Sequence, residues 1–287
     1  QKTAYEIVSR DWSSDVCSSD LLQKLIQEEG GNFRLAAWDW RYYAEKLRKR
    51  KYDVQESEVK PYMKLDNVIE ASFYTANRLF GLEFKPVDVP VWHPDVRAWE
   101  VTREDKHVGL FFGDYFARPS KQSGAWMSTL RDQERMGKDD VRPLVLNVMN
   151  FNKGDPTLLS FDDARTLFHE MGHAMHGLLS NVKYHSVSCT SVLTDWVELP
   201  SQLYEHWFER PEVLRKFARH HATGEPMPED LLKRLIAARN FNRGCDTLEY
   251  ISSALVDLEL HQLESTDRKS TRLNSSHVKR SRMPSSA

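Results

Sequence analysis

A mainly α-helical fold with a small β-sheet inserted near its middle is predicted by three observations. Apolar residues step by three and four along several long stretches, which lays one stripe on a helix face. β-rich runs are confined to one region, between residues 96 and 151. No internal repeat and no Pro/Gly/Ser-rich linker divides the chain.

The elements follow in order. Leu35 to Arg50 carries good helix formers around Trp38, Tyr42, Ala44 and Leu47, and its basic end suits the helix dipole. That end, Arg48-Lys49-Arg50-Lys51, reads as a solvated helix terminus. Leu65 to Phe80 places Val68, Ile69, Phe73, Ala76, Leu79 and Phe80 on an apolar face, and Gly81 supplies a stop. Val96 to Val101 and Val108 to Phe116 are short β-rich runs separated by the polar Thr102 to Lys106, a hairpin pattern. Leu144 to Phe151 is a third strand candidate. Helical periodicity then returns, with Leu248, Ile251, Leu255 and Leu258 forming a late stripe.

Composition narrows the function classes. Of 287 residues, 40% are hydrophobic and 29% charged, the profile of a globular protein. Forty Lys and Arg against 42 Asp and Glu leave a formal charge of −2, which gives no electrostatic reason for a nucleic-acid or anionic-membrane partner. No apolar run reaches the roughly 18 residues needed to span a bilayer, and the start of the chain has no signal-peptide pattern. Cys17, Cys189 and Cys245 are odd in number and lack a C-x-x-C pair, so neither a disulfide framework nor a zinc knuckle is expected. The expectation is a monomeric, cytoplasmic protein.

Both ends differ from the middle. Ser13-Ser14-Asp15 recurs as Ser18-Ser19-Asp20, and from Asp267 onward the chain is Ser-rich and basic with little to bury. Such stretches cannot offset their ordering entropy. Residues 1–20 and 265–287 are therefore set aside as disordered or non-native tails around a partial catalytic domain at 21–264.

Phe168-His169-Glu170-Met171-Gly172-His173 contains His-Glu-x-x-His. Residues four apart in a helix lie about 40° apart around the axis and roughly 6 Å apart along it. His169 and His173 can then grip one ion from one face, and Glu170 sits one step round, where a base can take a proton from metal-bound water. Ser160 as N-cap, with Asp162 and Asp163 in the first turn, starts this helix. Phe161, Ala164, Leu167, Phe168, Met171, Ala174, Met175 and Leu178 would bury most of its surface.

A catalytic zinc site keeps three protein ligands and one exchangeable position. Glu198 follows His173 by 25 positions, enough for a loop and a second helix packed antiparallel, and Pro200 puts it in or beside that helix's first turn. On chemistry alone it is equally a third ligand or a capping carboxylate. Glu205, seven residues on, could orient a ligating histidine or be an exposed carboxylate. His176 reads as a histidine that supports the ligands from behind or is simply packed, rather than as a ligand itself, and Arg118 and Lys121 as substrate contacts or an ordinary surface loop.

At these residues the sequence resembles the thimet-oligopeptidase family of zinc peptidases. Thr166 to Ser180 is similar to the family's metal helix, and Asp195 to Glu205 to its third-ligand segment, with Val197-Glu198-Leu199-Pro200-Ser201-Gln202 as the core. Trp38 to Tyr43, Trp92 to Val96 and Ala117 to Trp126 agree, and His221-Ala222-Thr223-Gly224-Glu225-Pro226-Met227-Pro228 leans toward the peptidyl-dipeptidase branch. The resemblance runs from about Asn32 to about His261.

It implies a zincin-type helical region enclosing a channel, with a sheet edge that can hold substrate backbone as an added strand. It also implies one Zn2+ on His169, His173 and Glu198, with Glu170 as base, and short peptides as substrates, with release of C-terminal dipeptides in this branch. The family is longer on the N-terminal side and continues beyond the region of Asp257 to His261 into a segment supplying an oxyanion-stabilising His and Tyr. Nothing after His261 resembles that segment. Losing one oxyanion donor costs about 100- to 1,000-fold in rate, so near-inactivity is expected of these 287 residues alone. Two other readings stand beside this one: a zinc-binding remnant without turnover, and a helical binding module whose motif is accidental and holds no stoichiometric metal.

Overall fold

The structure, a computed structural model, describes residues 18–137, 139–239 and 241–262. Of the two set-aside tails, residues 1–17 and 265–287 lie outside these. The described residues divide into two compact units, those of 18–54 with 233–262 and those of 55–232.

In the first unit, α1 (Ser18–Glu28) begins inside the segment set aside at the N-terminus, so its last three residues are helical. α1 and α2 (Trp40–Tyr52) bury Leu22, Leu25 and Ile26 against Tyr43 and Ala44. α2 starts five residues later than its periodicity predicts, because the amides ahead of it are bonded to side chains. Leu35 N–H donates to Gln23 Oε1 at 2.8 Å, and Ala36 N–H to Asp39 Oδ2 at 3.1 Å. The basic end of α2 is solvent-exposed and ion-paired, with Arg48 on Glu45 and Arg50 on Glu28. Along α9 (Arg243–His261) the late stripe is mostly uncovered, since Leu248, Leu255 and Leu258 are exposed and Ile251 is intermediate. α8 (Glu229–Ala238) precedes it.

The second unit holds the sheet. A short α3 (Glu56–Val59) and a 3-10 turn lead into α4 (Leu65–Phe80), whose bounds match the sequence expectation. Gly81 ends it at φ 70°, a left-handed conformation costly for any side chain with a Cβ, and its N–H bonds to Asn77 O. Five strands follow: β1 (Leu82–Pro86), β2 (Arg97–Arg103), β3 (Lys106–Phe116), β4 (Trp126–Arg131) and β5 (Leu144–Phe151). Their order is β1-β2-β3-β5-β4. The β3–β5 pair is parallel and the others antiparallel.

The predicted hairpin is β2–β3, but its strands run into the polar segment until only Glu104 and Asp105 turn, at φ 51° and 59°. β1 and β4 were not expected. Both are edge strands with little buried surface, so neither carries a run of apolar residues. Successive side chains of β3 face opposite ways. Phe111 meets Phe73 of α4 alongside Phe84 and Trp99, while Phe112 packs with Val96, Ala98, Leu146 and Val148.

Between β3 and β4 the chain is pinned by a polar knot. Asp114, 1% exposed, accepts from both terminal nitrogens of Arg118 at 2.7 Å and from Trp92 Nε1 at 3.0 Å. Lys121 Nζ reaches Asp114 Oδ1 at 3.2 Å and donates to the carbonyls of Asp114, Phe116 and Met149. Burial pushes the Asp114 carboxyl up, but the donors from Arg118, Trp92 and Lys121 outweigh it and hold it at about 2. A carboxyl depressed in the folded state stabilises fully above the unfolded value, about 3.9, and stops doing so as pH falls to its folded value. Asp114→Asn is therefore expected to cost about 2 kcal/mol at neutral pH. Urea unfolding of the two proteins should show that gap closing between pH 4 and pH 2; a gap independent of pH would refute the assignment.

α5 (Phe161–Leu178) packs against β5 and β4, and α6 (Leu199–Phe208) packs along α5. α7 (Pro211–Phe217) follows. Ser160 caps α5 as the sequence indicates. Asp163 N–H donates to Ser160 Oγ and Ser160 N–H to Asp163 Oδ2, both at 3.0 Å. Every apolar residue expected to bury α5 is buried except Phe161, which is intermediate.

Candidate metal centre

One helix and the start of the next build the site. α5 presents His169 and His173 one turn apart, their ring centroids 5.0 Å from each other and nearly perpendicular. α6 is held to α5 by an aromatic seam: Phe168 lies 5.6 Å from Tyr204 and 4.9 Å from Phe208, and Phe161 lies 5.0 Å from Phe208. Tyr204 also donates its hydroxyl to Ser72 O of α4 at 2.7 Å. This docking brings Glu198, the N-cap residue of α6, to the two histidines.

A single carboxylate oxygen, Glu198 Oε2, lies 3.2 Å from His169 Nε2 and 3.1 Å from His173 Nε2. Adjacent ligands of a tetrahedral ion with bonds of about 2.0–2.1 Å stand about 3.3 Å apart. Both Glu198 distances are close to that spacing, and among the described residues the three groups form a set that could hold a metal ion, their ligand atoms within 4.8 Å of one another. Two imidazoles and one carboxylate are donors that suit zinc.

The surroundings orient these groups. Glu205 Oε1 is 2.7 Å from His169 Nδ1, which leaves Nε2 free to face the cluster. That hydrogen bond raises the His169 pKa against the opposing effect of burial. Arg165, one turn before His169, approaches Glu205 Oε2 at 3.7 Å. Burial lowers the His173 pKa. Glu170, 6% exposed, is pushed up by burial to about 7, with the charge of Glu198 adding and His169 opposing. The backbone of Met127 in edge strand β4 weakly opposes this rise.

The other sequence candidates fall elsewhere. His176 is partly buried, its pKa lowered by burial and its Nδ1 without a hydrogen-bond partner, and it is outside the group of three. Arg118 and Lys121 belong to the Asp114 knot. Sequence reasoning passed over four residues: Met127, Arg165, Gly172 and Ser201. Of these, only Gly172 carried a legible signal, since a glycine inside a helix costs about 1 kcal/mol against alanine and asks for a reason.

The pattern of peptidase family M3 matches residues 17–282, extending past both ends of the resemblance read from sequence. Dipeptidyl carboxypeptidase of Salmonella typhimurium is 45% identical over 249 residues, covering 85% of this chain and 36% of the relative. The Escherichia coli dipeptidyl carboxypeptidase is 42% identical over 265 residues, 90% of this chain and 38% of the relative. Oligopeptidase A of Escherichia coli is 36% identical over 247 residues, 84% of this chain and 36% of the relative. The chain thus spans little more than a third of the length of these relatives. No helix among the described residues is long and apolar enough to cross a membrane. With a match running almost from end to end and a His, His, Glu cluster at its centre, this chain belongs to peptidase family M3.

Proposed function

We propose that the whole protein is a zinc-dependent peptidase acting on short peptides and releasing C-terminal dipeptides. The observation that carries this reading is the approach of one Glu198 oxygen to both histidine Nε2 atoms, with Glu170 beside them. Dipeptide release is supported by the higher identity to the two dipeptidyl carboxypeptidases than to oligopeptidase A.

His169, His173 and Glu198 would hold the ion. When bound, it supplies Lewis acidity toward a water molecule and toward the scissile carbonyl. Glu170 takes the proton of that water at its carboxylate and delivers it to the leaving amine. Glu205 fixes the ring of His169 through its Nδ1.

Metal analysis of the purified chain is expected to give one zinc per molecule. The uninterrupted parent should release dipeptides from the C-terminus of a blocked short peptide, while the 287 residues alone turn over far more slowly. A chain without stoichiometric metal overturns the reading. A second reading, a metal-binding remnant that does not turn over, draws on the exposed apolar side chains beside Glu198, where Trp196 is 55% and Leu203 56% exposed. Zinc bound by this chain with no dipeptide release at all favours it.

A further inference from the structure

We infer that Gly172 and Ser201 form a positioning latch that sets the spacing of α5 and α6, and so brings the Glu198 carboxylate to His169 and His173. The inference rests on the metal-site reading above. Gly172 lies between Met171 and His173 in the middle of α5, and its place there is a matter of space. A Cβ at this position would stand 2.5 Å from Pro200 O, 2.6 Å from Ser201 Cα and 2.9 Å from Pro200 C. All three are backbone atoms of the first turn of α6, so no side-chain rotation can relieve them. Contact distances between carbon atoms of about 3.5 Å or more would require α6 to retreat by about 1 Å.

Ser201 sits at the other side of this contact and is fully buried. Its hydroxyl proton is shared between Glu198 Oε2 at 2.7 Å and Glu198 O at 2.9 Å. The oxygen it aims is the one that approaches both histidines. The missing Cβ at residue 172 admits the Ser201 backbone, and the Ser201 hydroxyl then directs the carboxylate. Metal–ligand distances are satisfied only within about 0.2 Å, so a retreat of about 1 Å takes the carboxylate out of the shell.

Zinc titration of the full chain against a competing chelator tests this, with circular dichroism to verify folding. Gly172→Ala is expected to weaken zinc binding by about 100-fold and Ser201→Ala by about 10-fold, the two ends of the range seen when groups orienting ligands are removed. Gly177→Ala is the control. It lies on the same helix, but its added Cβ would meet side chains, Cys189 Sγ at 2.9 Å and Val145 Cγ2 at 3.1 Å, and no part of α6. It should keep its zinc affinity. Wild-type affinity in a folded Gly172→Ala or in Ser201→Ala overturns the latch, as does an equal loss in Gly177→Ala. Should Gly172→Ala fail to fold, Ser201→Ala decides alone. A wild-type chain that binds no zinc would instead sink the metal-site reading.

Discussion

Replacing Glu170 with Gln in the full-length protein is expected to lower peptide hydrolysis by about 100- to 10,000-fold, the share that general acid–base catalysis supplies. Zinc content should stay near one per chain. The amide has the shape of the carboxylate but no basicity, so it fills the same buried position without accepting the proton of the attacking water. Glu170 is not one of the three groups that could hold the ion. Parallel measurements of turnover and metal content distinguish the roles. Loss of zinc in this variant would mean that Glu170 has been misassigned, and undiminished turnover would mean that the proton goes elsewhere.

Phe168→Ala is expected to destabilise the chain by about 3–5 kcal/mol, as for other fully buried phenylalanines. Phe168 is 0% exposed and sits at the centre of the aromatic seam with Tyr204 and Phe208. Truncating it opens a cavity where α5 and α6 meet, one residue from His169. A loss of that size is comparable to the whole stability of many domains, so the urea midpoint should fall sharply. Phe168→Leu, which keeps most of the volume, should recover much of it. A midpoint shift below about 1 kcal/mol in Phe168→Ala would show that the seam does not hold the helices.

Elements held by local rules were legible in the amino-acid sequence. Leu65–Phe80, Leu144–Phe151 and the Ser160 cap of the metal helix stand where periodicity and capping chemistry put them. Each depends on residues within a turn or a strand of one another. The start of Trp40–Tyr52 was misjudged because Gln23, distant in sequence, takes an amide that helix periodicity assigned to the helix. The edge strands Leu82–Pro86 and Trp126–Arg131 escaped for a related reason. A strand recruited to a sheet by backbone hydrogen bonds on one side needs no apolar run of its own.

The candidate metal site divides along the same line. His169, Glu170 and His173 could be read directly, since four residues of helix bring two side chains to one face whatever the rest of the chain does. Nothing local brings Glu198 to the two histidines. Its place depends on Phe168, Tyr204 and Phe208 docking one helix on another, on the absence of a Cβ at Gly172, and on the hydroxyl of Ser201. Helical geometry repeats every few residues and is written in short patterns, whereas the distance between two helices is set by the bulk of side chains far apart along the chain. The pair of imidazoles is a local property of this protein, and their carboxylate partner is a product of its packing.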